Sequence, residues 1–156
     1  MTEIRAAQFP EHSEAVRAIF REYAESLGVD LSFQSFDAEL AELPGMYAAP
    51  HGRVLLAWHD GEVAGCVALR PLDEGACEMK RLYVRPAGRG QQLGRRLVDA
   101  IIQAAKETGY TKIRLDTLPH LQTALHIYDT LGFVRIPAYV FNPIEGVAFL
   151  ELDLLA

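Results

Sequence analysis

Apolar residues recur at helical spacing in three stretches of the chain. On the first stretch they stand at steps of four, as Ala15, Ile19, Tyr23 and Leu27. Steps of this size place side chains on one face of a helix, and a glycine commonly ends it. The pattern therefore predicts amphipathic helices over 11–27, 91–108 and 121–131, which end at Gly28, Gly109 and Gly132.

Short apolar runs bounded by turn residues predict strands. The runs are 4–7, 54–58, 63–69, 78–84, 112–115, 133–140 and 147–154. Asp60-Gly61 separates the second and third runs, and this dipeptide suits a tight hairpin turn. Pro86 ends the fourth run, because proline donates no ladder hydrogen bond. Residues 33–43 predict a loop followed by a short helix that ends at Pro44.

The order of these elements predicts a mixed α/β sheet. It runs strand, helix, short helix, three strands, helix, strand, helix and two strands, which differs from a regular alternation of strands and helices. A chain of 156 residues with 50% hydrophobic content suits one domain over 1–156 with a buried core.

The segment 77–98 joins a predicted strand to a predicted helix through a turn rich in glycine and arginine. Free N–H groups at the start of the helix, together with Arg89, Arg95 and Arg96, favour an anion such as a phosphate. The spacing excludes two familiar phosphate loops. There is no G-x-x-x-x-G-K-[ST] sequence, and the glycines at 88, 90 and 94 do not form G-x-G-x-x-G.

The segment resembles motif A of the GNAT acetyltransferases, with Arg-Gly-x-x-x-Gly-Arg after a strand that ends Arg-Leu-Tyr-Val. A second signature of that family, A-x-x-x-Y-x-x-x-G-F, stands further along as Ala124, Tyr128, Gly132 and Phe133. The resemblance covers roughly residues 77–133. It implies a GNAT-like fold with a central, twisted, mostly antiparallel sheet, a splayed strand pair and flanking helices. It also implies acetyl-CoA as cosubstrate, and transfer of its acetyl group to a primary amine by direct attack in a ternary complex.

The resemblance implies how acetyl-CoA is held. Pantetheine is expected to lie against the strand edge at Leu82, Tyr83 and Val84 like an added strand, where the N–H of Leu82 or Val84 could meet the oxyanion. The diphosphate is expected to take backbone N–H groups of the loop and the helix start, which are those of Arg89, Gly90, Gln92, Gly94 and Arg95.

Two residues are candidates for proton transfer. Glu78 lies eleven residues before Arg89, the spacing at which many GNAT enzymes place a glutamate that deprotonates the amine through water. The alternative interpretation of Glu78 is a solvated residue of the strand with no catalytic role. Tyr128 stands where the family's tyrosine points at the CoA sulfur and donates a proton to the leaving thiolate. The alternative interpretation of Tyr128 is an aromatic residue of the core.

The sequence departs from the family pattern at two positions. Gln92 stands where the pattern has its middle glycine, and Leu121 stands where many members carry an asparagine. Because the diphosphate contact uses backbone N–H groups, we expect a weaker fit at Gln92 rather than lost binding. Neither departure removes a proton-transfer group.

Composition limits the partners. A net charge of −6 argues against nucleic acid, which requires a basic surface, and no apolar run approaches a membrane span. No secretory signal is visible, so we expect a cytoplasmic protein in which Cys66 and Cys77 are reduced core residues. The five histidines are scattered, which makes a metal site unexpected. Whether the chain forms a homodimer stays open.

The acceptor is less defined than the cosubstrate. Acidic residues between Glu22 and Glu42 slightly favour a cationic small-molecule or peptide amine, although acids on helix surfaces are usually just solvated. Phe33, Phe36 and Tyr139 either wall the acceptor pocket or belong to the core. A non-catalytic acyl-CoA-binding module is the alternative function, and the presence of both Glu78 and Tyr128 favours the enzyme.

Overall fold

A seven-stranded sheet organises the computed structural model, which describes residues 2–31 and 35–155. The strands are β1 (Thr2–Ala6), β2 (Arg53–His59), β3 (Glu62–Asp73), β4 (Ala76–Val84), β5 (Lys112–Thr117), β6 (Val134–Arg135) and β7 (Ala148–Asp153). The helices are α1 (Ser13–Leu27), α2 (Phe36–Ala41), α3 (Leu93–Thr108) and α4 (Gln122–Leu131), and short 3₁₀ turns lie at Gly45–Tyr47 and Pro86–Gly88.

The strand order is β1-β2-β3-β4-β5-β7-β6. All neighbouring strands are antiparallel except β4 and β5, which are parallel and joined through α3. The predicted mixed α/β class with a mostly antiparallel sheet is therefore confirmed.

Alternation along the central strands gives the sheet two buried faces. Leu55 and Val67 belong to the core that contains Leu97 and other residues of α3. Their neighbours Leu56 and Cys66 face the opposite core, which contains residues of α1 and α2. Successive side chains of a strand point to opposite faces, so short apolar runs cover both sides of the sheet.

Two predicted boundaries and part of one helical stripe were wrong. The buried residues of α1 are Val16, Ile19, Phe20 and Leu27, which include the predicted Ile19 and Leu27 but not Ala15 or Tyr23. Helix α3 begins at Leu93 rather than 91, because Gln92 has the left-handed conformation, with φ of 55°. The strand predicted over 133–140 is only Val134–Arg135, and Pro137 follows within two residues without an N–H to donate. Phe33, at the start of the predicted loop, lies outside the described residues.

Strands β4 and β5 pair over only three residues each. Ala76, Cys77 and Glu78 lie opposite Lys112, Ile113 and Arg114, and the two strands separate beyond that point. The opening coincides with a bulge in β4. Cys66 lies opposite Tyr83 and Ala68 opposite Lys80, so two residues of β4 occupy the space of one. A bulge bends its strand, and here it lies where β4 leaves β5. The splayed pair implied by the family resemblance is confirmed.

Arg81 is the residue that forms the bulge. Its φ is 63°, a left-handed value that is uncommon for a residue with a side chain. The guanidinium is buried and donates to both carboxylate oxygens of Glu39 at 2.9 Å, while its Cζ lies 5.0 Å from the ring centroid of Phe36. These contacts with α2 offset the cost of the backbone conformation and fix the place where the strands separate.

Candidate active site

A cleft that opens to solvent lies between the separated halves of β4 and β5. Leu82 and Lys80 line it from β4, and Asp116 lines it from β5. Leu121, Ala124 and Tyr128 form a wall at α4, and Tyr23 and Leu27 contribute from α1. The bulge and the parallel strand pair thus bring residues distant in sequence around one opening.

The cleft leaves one edge of β4 without a strand partner. Among the described residues, the half from Met79 to Val84 pairs with β3 on one side only, because its pairing with β5 ends at Glu78, while β5 continues along β7 on its other edge. Leu82 faces the cleft, whereas the ring of Tyr83 packs edge-on against Tyr23 at 6.4 Å between centroids. An extended ligand could therefore pair with the backbone of this edge.

The start of α3 presents free backbone N–H groups close to that edge. The first helical hydrogen bond runs from the N–H of Arg96 to the carbonyl of Gln92, at 3.1 Å. The N–H groups of Leu93, Gly94 and Arg95 therefore have no intrahelical acceptor, and the Gln92 side chain does not cap them. Such a helix start favours a phosphate or another anion.

One of the N–H groups predicted to meet the diphosphate already has a partner in the loop before α3. The N–H of Arg89 donates to the carbonyl of Pro86 at 3.2 Å, so this amide already has a partner within the loop. Only the exposed guanidinium of Arg89 remains to meet an anion, and its Nε lies 3.3 Å from the carbonyl oxygen of Val84. The local 3₁₀ turn, which the sequence did not indicate, is the reason for the difference.

Two glycines keep the surface of the loop open. Gly90 has φ of 87°, and no atom lies within 4 Å of where its Cβ would stand. A Cβ at Gly94 would lie 3.4 Å from Ile127 Cδ1, an ordinary contact. The protein's own packing therefore does not require glycine at position 94. Close approach of a ligand to the backbone would explain why a glycine stands there. Gln92 is exposed, so its side chain lies clear of the core.

Tyr128 lies in the wall of the cleft and also in the core. Only 3% of its surface is exposed, and its ring packs against Phe133 with centroids 5.4 Å apart. Burial raises the pKa of Tyr128 well above its usual value, and Tyr23 and Asp116 add to this effect. The phenol therefore keeps its proton throughout the neutral range. Tyr128 is therefore a core aromatic residue that also lines the cleft, and its role as proton donor stays a prediction.

Glu78 lies on β4 beside the point where the strands part, and it has no exposed surface. It is therefore not a solvated strand residue. Arg70 on β3 donates from Nε and from Nη2 to Oε1 of Glu78, both at 2.8 Å. The hydroxyl of Tyr139 donates to Oε2 at 2.7 Å. Because a buried carboxylate is costly without partners, these donors explain how Glu78 is accommodated.

A second cavity, of about 270 Å³, adjoins the cleft. Four of its lining residues are ionisable: Arg70, Glu78, Lys80 and Asp116. Lys80 and Asp116 also line the cleft, so the two spaces share a wall. Lys80 Nζ lies 3.8 Å from Asp116 Oδ1, and burial lowers the pKa of Lys80.

Sequence reasoning missed Arg70, Lys80 and Asp116. One signal was present. Glu78 and Lys80 are two apart on a strand that is otherwise apolar at its start, so they share a face, and two buried ionisable residues on one face indicate a polar site. Nothing in the sequence places Arg70 or Asp116 beside them, because their proximity depends on the strand order.

Two of the acidic residues of α1 and α2 form ion pairs within the fold. Glu22 pairs with Arg85 and Glu39 pairs with Arg81, both through arginine nitrogens that reach the carboxylate. The excess of acids noted in the sequence is thus partly neutralised inside the fold, which weakens the argument for a cationic acceptor.

No group of three or more His, Cys, Asp or Glu side chains suited to a metal ion is found in residues 2–31 and 35–155. Over the same residues, no helix is long and apolar enough to span a membrane.

Comparison with known proteins identifies the family. The model of the acetyltransferase (GNAT) family matches residues 13–133. An uncharacterised N-acetyltransferase of Schizosaccharomyces pombe is 41% identical over 153 residues, which covers 97% of this chain and 94% of the relative. The chain belongs to the GNAT family and is an acetyl-CoA-dependent N-acetyltransferase.

Solved structures show the same fold. A GNAT-family acetyltransferase of Staphylococcus aureus superposes with a TM-score of 0.80 at 20% identity, covering 99% of each chain. The PaiA N-acetyltransferase of Thermoplasma acidophilum, solved in complex with coenzyme A, superposes with a TM-score of 0.75 at 18% identity, covering 98% of this chain and 99% of the other. The family and enzyme class expected from the two sequence motifs are confirmed.

Proposed function

We propose that residues 1–156 act as one domain that transfers the acetyl group of acetyl-CoA directly to a primary amine, with both substrates bound at once. One observation carries the proposal: the cleft between β4 and β5 combines an unpaired strand edge, a helix start with free N–H groups, and the hydroxyl-bearing Tyr128. The adjoining polar cavity gives the amine a place of its own beside the cleft.

The residues of the cleft fit coenzyme A in two places. The backbone of Leu82, Tyr83 and Val84 would pair with the amides of pantetheine, as an added strand does. The diphosphate would accept hydrogen bonds from backbone N–H groups, which are those of Gly90, Gln92, Gly94 and Arg95. The guanidiniums of Arg89 and Arg95 would add positive charge. When bound, acetyl-CoA supplies a thioester whose acyl carbon is open to attack by an amine.

Tyr128 would donate its proton to the sulfur that leaves. Burial keeps the hydroxyl protonated, but it also makes the proton harder to release than in water. The same dry environment disfavours a thiolate, so the proton affinities of donor and acceptor rise together and the transfer stays accessible.

Glu78 would take the proton that the attacking amine loses. Glu78 lines the polar cavity, and the donors on both of its carboxylate oxygens hold the side chain in one orientation. Since the side chain has no exposed surface, the proton would reach it through water or through one of these partners rather than by direct contact with the amine.

Direct transfer is favoured over a covalent acetyl-enzyme. A covalent route requires a nucleophile such as a thiolate at the reacting centre. Cys66 and Cys77 line neither cavity, and burial raises the pKa of both thiols. A non-catalytic module that only binds acyl-CoA would not require a carboxylate enclosed beside the cleft, so Glu78 favours the enzyme.

A panel of amines tests the proposal. The purified chain would be incubated with acetyl-CoA and each amine, and release of the free CoA thiol would be followed. We expect release that depends on both enzyme and amine. In parallel, acetyl-CoA and desulfo-CoA should each raise the melting temperature, because a ligand that binds only the native state stabilises it. Stabilisation without acceptor-dependent release by any amine would support the binding module instead.

A further inference from the structure

We propose that the acceptor is a zwitterion, an amine that carries a carboxylate in the same small molecule, and that Arg70 binds this carboxylate in the polar cavity. The inference rests on the proposed function, because it names the class of amine that the same site accepts.

The position of the polar cavity makes it the place for the acceptor. Lys80 and Asp116 belong to the wall of the cleft and to the wall of this cavity. A molecule in the cavity therefore lies within one side chain of the cleft, where the acetyl group would be presented.

The charges that line the cavity are balanced. Two cations, Arg70 and Lys80, face two carboxylates, Glu78 and Asp116, and the other lining residues are Ser35, Val140 and Phe141. Glu78, Lys80 and Asp116 are almost fully buried, so water screens them weakly. A bare ammonium would add an uncompensated positive charge to this set, and a polyamine would add several. A zwitterion adds both charges and leaves the balance unchanged.

Arg70 has donors to offer a carboxylate. Its Nε and one Nη2 hydrogen are directed to Glu78. Within residues 2–31 and 35–155, no acceptor lies within hydrogen-bonding distance of its Nη1. The side chain of Arg70 is 24% exposed and lines the cavity, so the N–H groups of Nη1 can reach a ligand there. A guanidinium with free N–H groups is well suited to a carboxylate, because the two match in geometry.

The remaining charged groups would then hold the amine. With the carboxylate of the acceptor on Arg70, the buried carboxylates of Glu78 and Asp116 would attract its ammonium, with water between the ammonium and Glu78, and the shared wall directs the amine towards the cleft. The acceptor would give up its proton towards Glu78, as proposed above. The same cavity thus recognises both ends of the molecule.

Matched acceptors test the proposal on the wild-type protein. Each standard amino acid would be compared with the amine that lacks its carboxyl group, for example leucine with 3-methylbutylamine, and with its uncharged amide, leucinamide. For the best amino acid, we expect kcat/KM at least about 100-fold above that of the matched amine and of the amide. Equal or better turnover of the amines would overturn the proposal while leaving the acetyltransferase function intact. A preference for phosphoethanolamine over every amino acid would also overturn it.

Variants then assign the carboxylate contact. Arg70→Gln should reduce the ratio of kcat/KM between the amino acid and its matched amine to nearly one, and Arg70→Lys should keep part of it. This ratio is the readout, because Arg70 also holds Glu78, and a loss of activity through Glu78 would lower kcat/KM for both acceptors equally. Arg114→Gln is the control, since Arg114 pairs with Glu151 and Asp73 outside both cavities, and it should keep the wild-type ratio. An unchanged ratio in Arg70→Gln would overturn the assignment.

One further measurement does not depend on variants that fold. Binding of the amino acid and of its matched amine to the wild-type protein can be compared in the presence of desulfo-CoA, where no transfer occurs. We expect the amino acid to raise the melting temperature and the matched amine to have a much smaller effect. If neither class of acceptor is acetylated although acetyl-CoA binds, the proposed function fails, and this inference fails with it.

Discussion

The hydroxyl of Tyr139 donates a hydrogen bond to Glu78 Oε2 at 2.7 Å and joins the irregular segment between β6 and β7 to strand β4. The two residues are 61 positions apart in the chain. Burial and the neighbouring carboxylate of Glu78 raise the pKa of Tyr139, so the hydroxyl stays a donor over the whole neutral range. The bond fixes one oxygen of Glu78 while Arg70 fixes the other.

Tyr139→Phe should lower kcat about tenfold at neutral pH with little change in the affinity for acetyl-CoA. The variant keeps the ring that packs on Phe149 and removes only the donor to Glu78. Since the amine loses its proton unaided at high pH, the difference from wild type should narrow as pH rises. The measurement is a pH profile of kcat on the best acceptor.

Tyr110→Phe is the matched control for this change. It also removes one tyrosine hydroxyl bond, from Tyr110 to the carbonyl of His51 at 2.7 Å, but this bond is exposed and lies outside both cavities. We expect its profile to follow wild type. An equal loss at every pH in Tyr139→Phe would show that the bond only supports the fold.

Gly94→Val should weaken CoA binding at least tenfold and leave the fold in place. The position tolerates a Cβ in the protein alone, so the added methyl groups would obstruct the approach of the diphosphate. Calorimetric binding of CoA and the melting temperature measure the two effects separately. Gln103→Val, on the exposed side of the same helix, should change neither property by much. Parallel loss of binding and fold in Gly94→Val would instead indicate a structural glycine.

Gln92→Gly should stabilise the protein by about 1 kcal/mol, because a left-handed conformation costs roughly that much for a residue with a side chain. CoA affinity should stay the same or improve, since the exposed side chain makes no capping bond. Denaturant unfolding and CoA titration check both. Gln91→Gly, at a neighbour without positive φ, should not stabilise the protein. A large fall in affinity in Gln92→Gly would show that the glutamine side chain holds the cosubstrate.

Cys66 and Cys77 should resist alkylation in the native protein. Burial raises the pKa of Cys77 to about 12 and that of Cys66 further, and a thiol reacts as its thiolate. At pH 8 a thiol with a pKa near 12 is ionised to roughly one part in ten thousand. Mass spectrometry after iodoacetamide should find two unmodified cysteines, and two modified ones after denaturation. Rapid native labelling at pH 8 would contradict the burial.

The sequence predicted what depends on local pattern. The glycine-rich turn before α3, the helix that contains Tyr128 and the glycine stop at Gly132 all follow from short motifs whose spacing reflects backbone geometry. The Gly132 position has φ of 93°, the conformation that made glycine the expected residue there.

The sequence could not predict what depends on contacts between distant elements. The bulge at Arg81 needs Glu39 and Phe36 from α2, and the enclosure of Glu78 needs Arg70 and Tyr139. Charge counts also failed at this level, because Glu22 and Glu39 add to the acidity of the sequence yet pair with arginines in the fold.

The most direct test of the proposed site is Tyr128→Phe, which removes one oxygen from the wall of the cleft and little volume. If the hydroxyl supplies the proton to the leaving sulfur, kcat on the best acceptor should fall about 100-fold or more, while the dissociation constant of acetyl-CoA stays nearly unchanged. Steady-state kinetics with a parallel acetyl-CoA titration measures both quantities. Full turnover by the variant would contradict the account, since solvent would then supply the proton and Tyr128 would only shape the cleft.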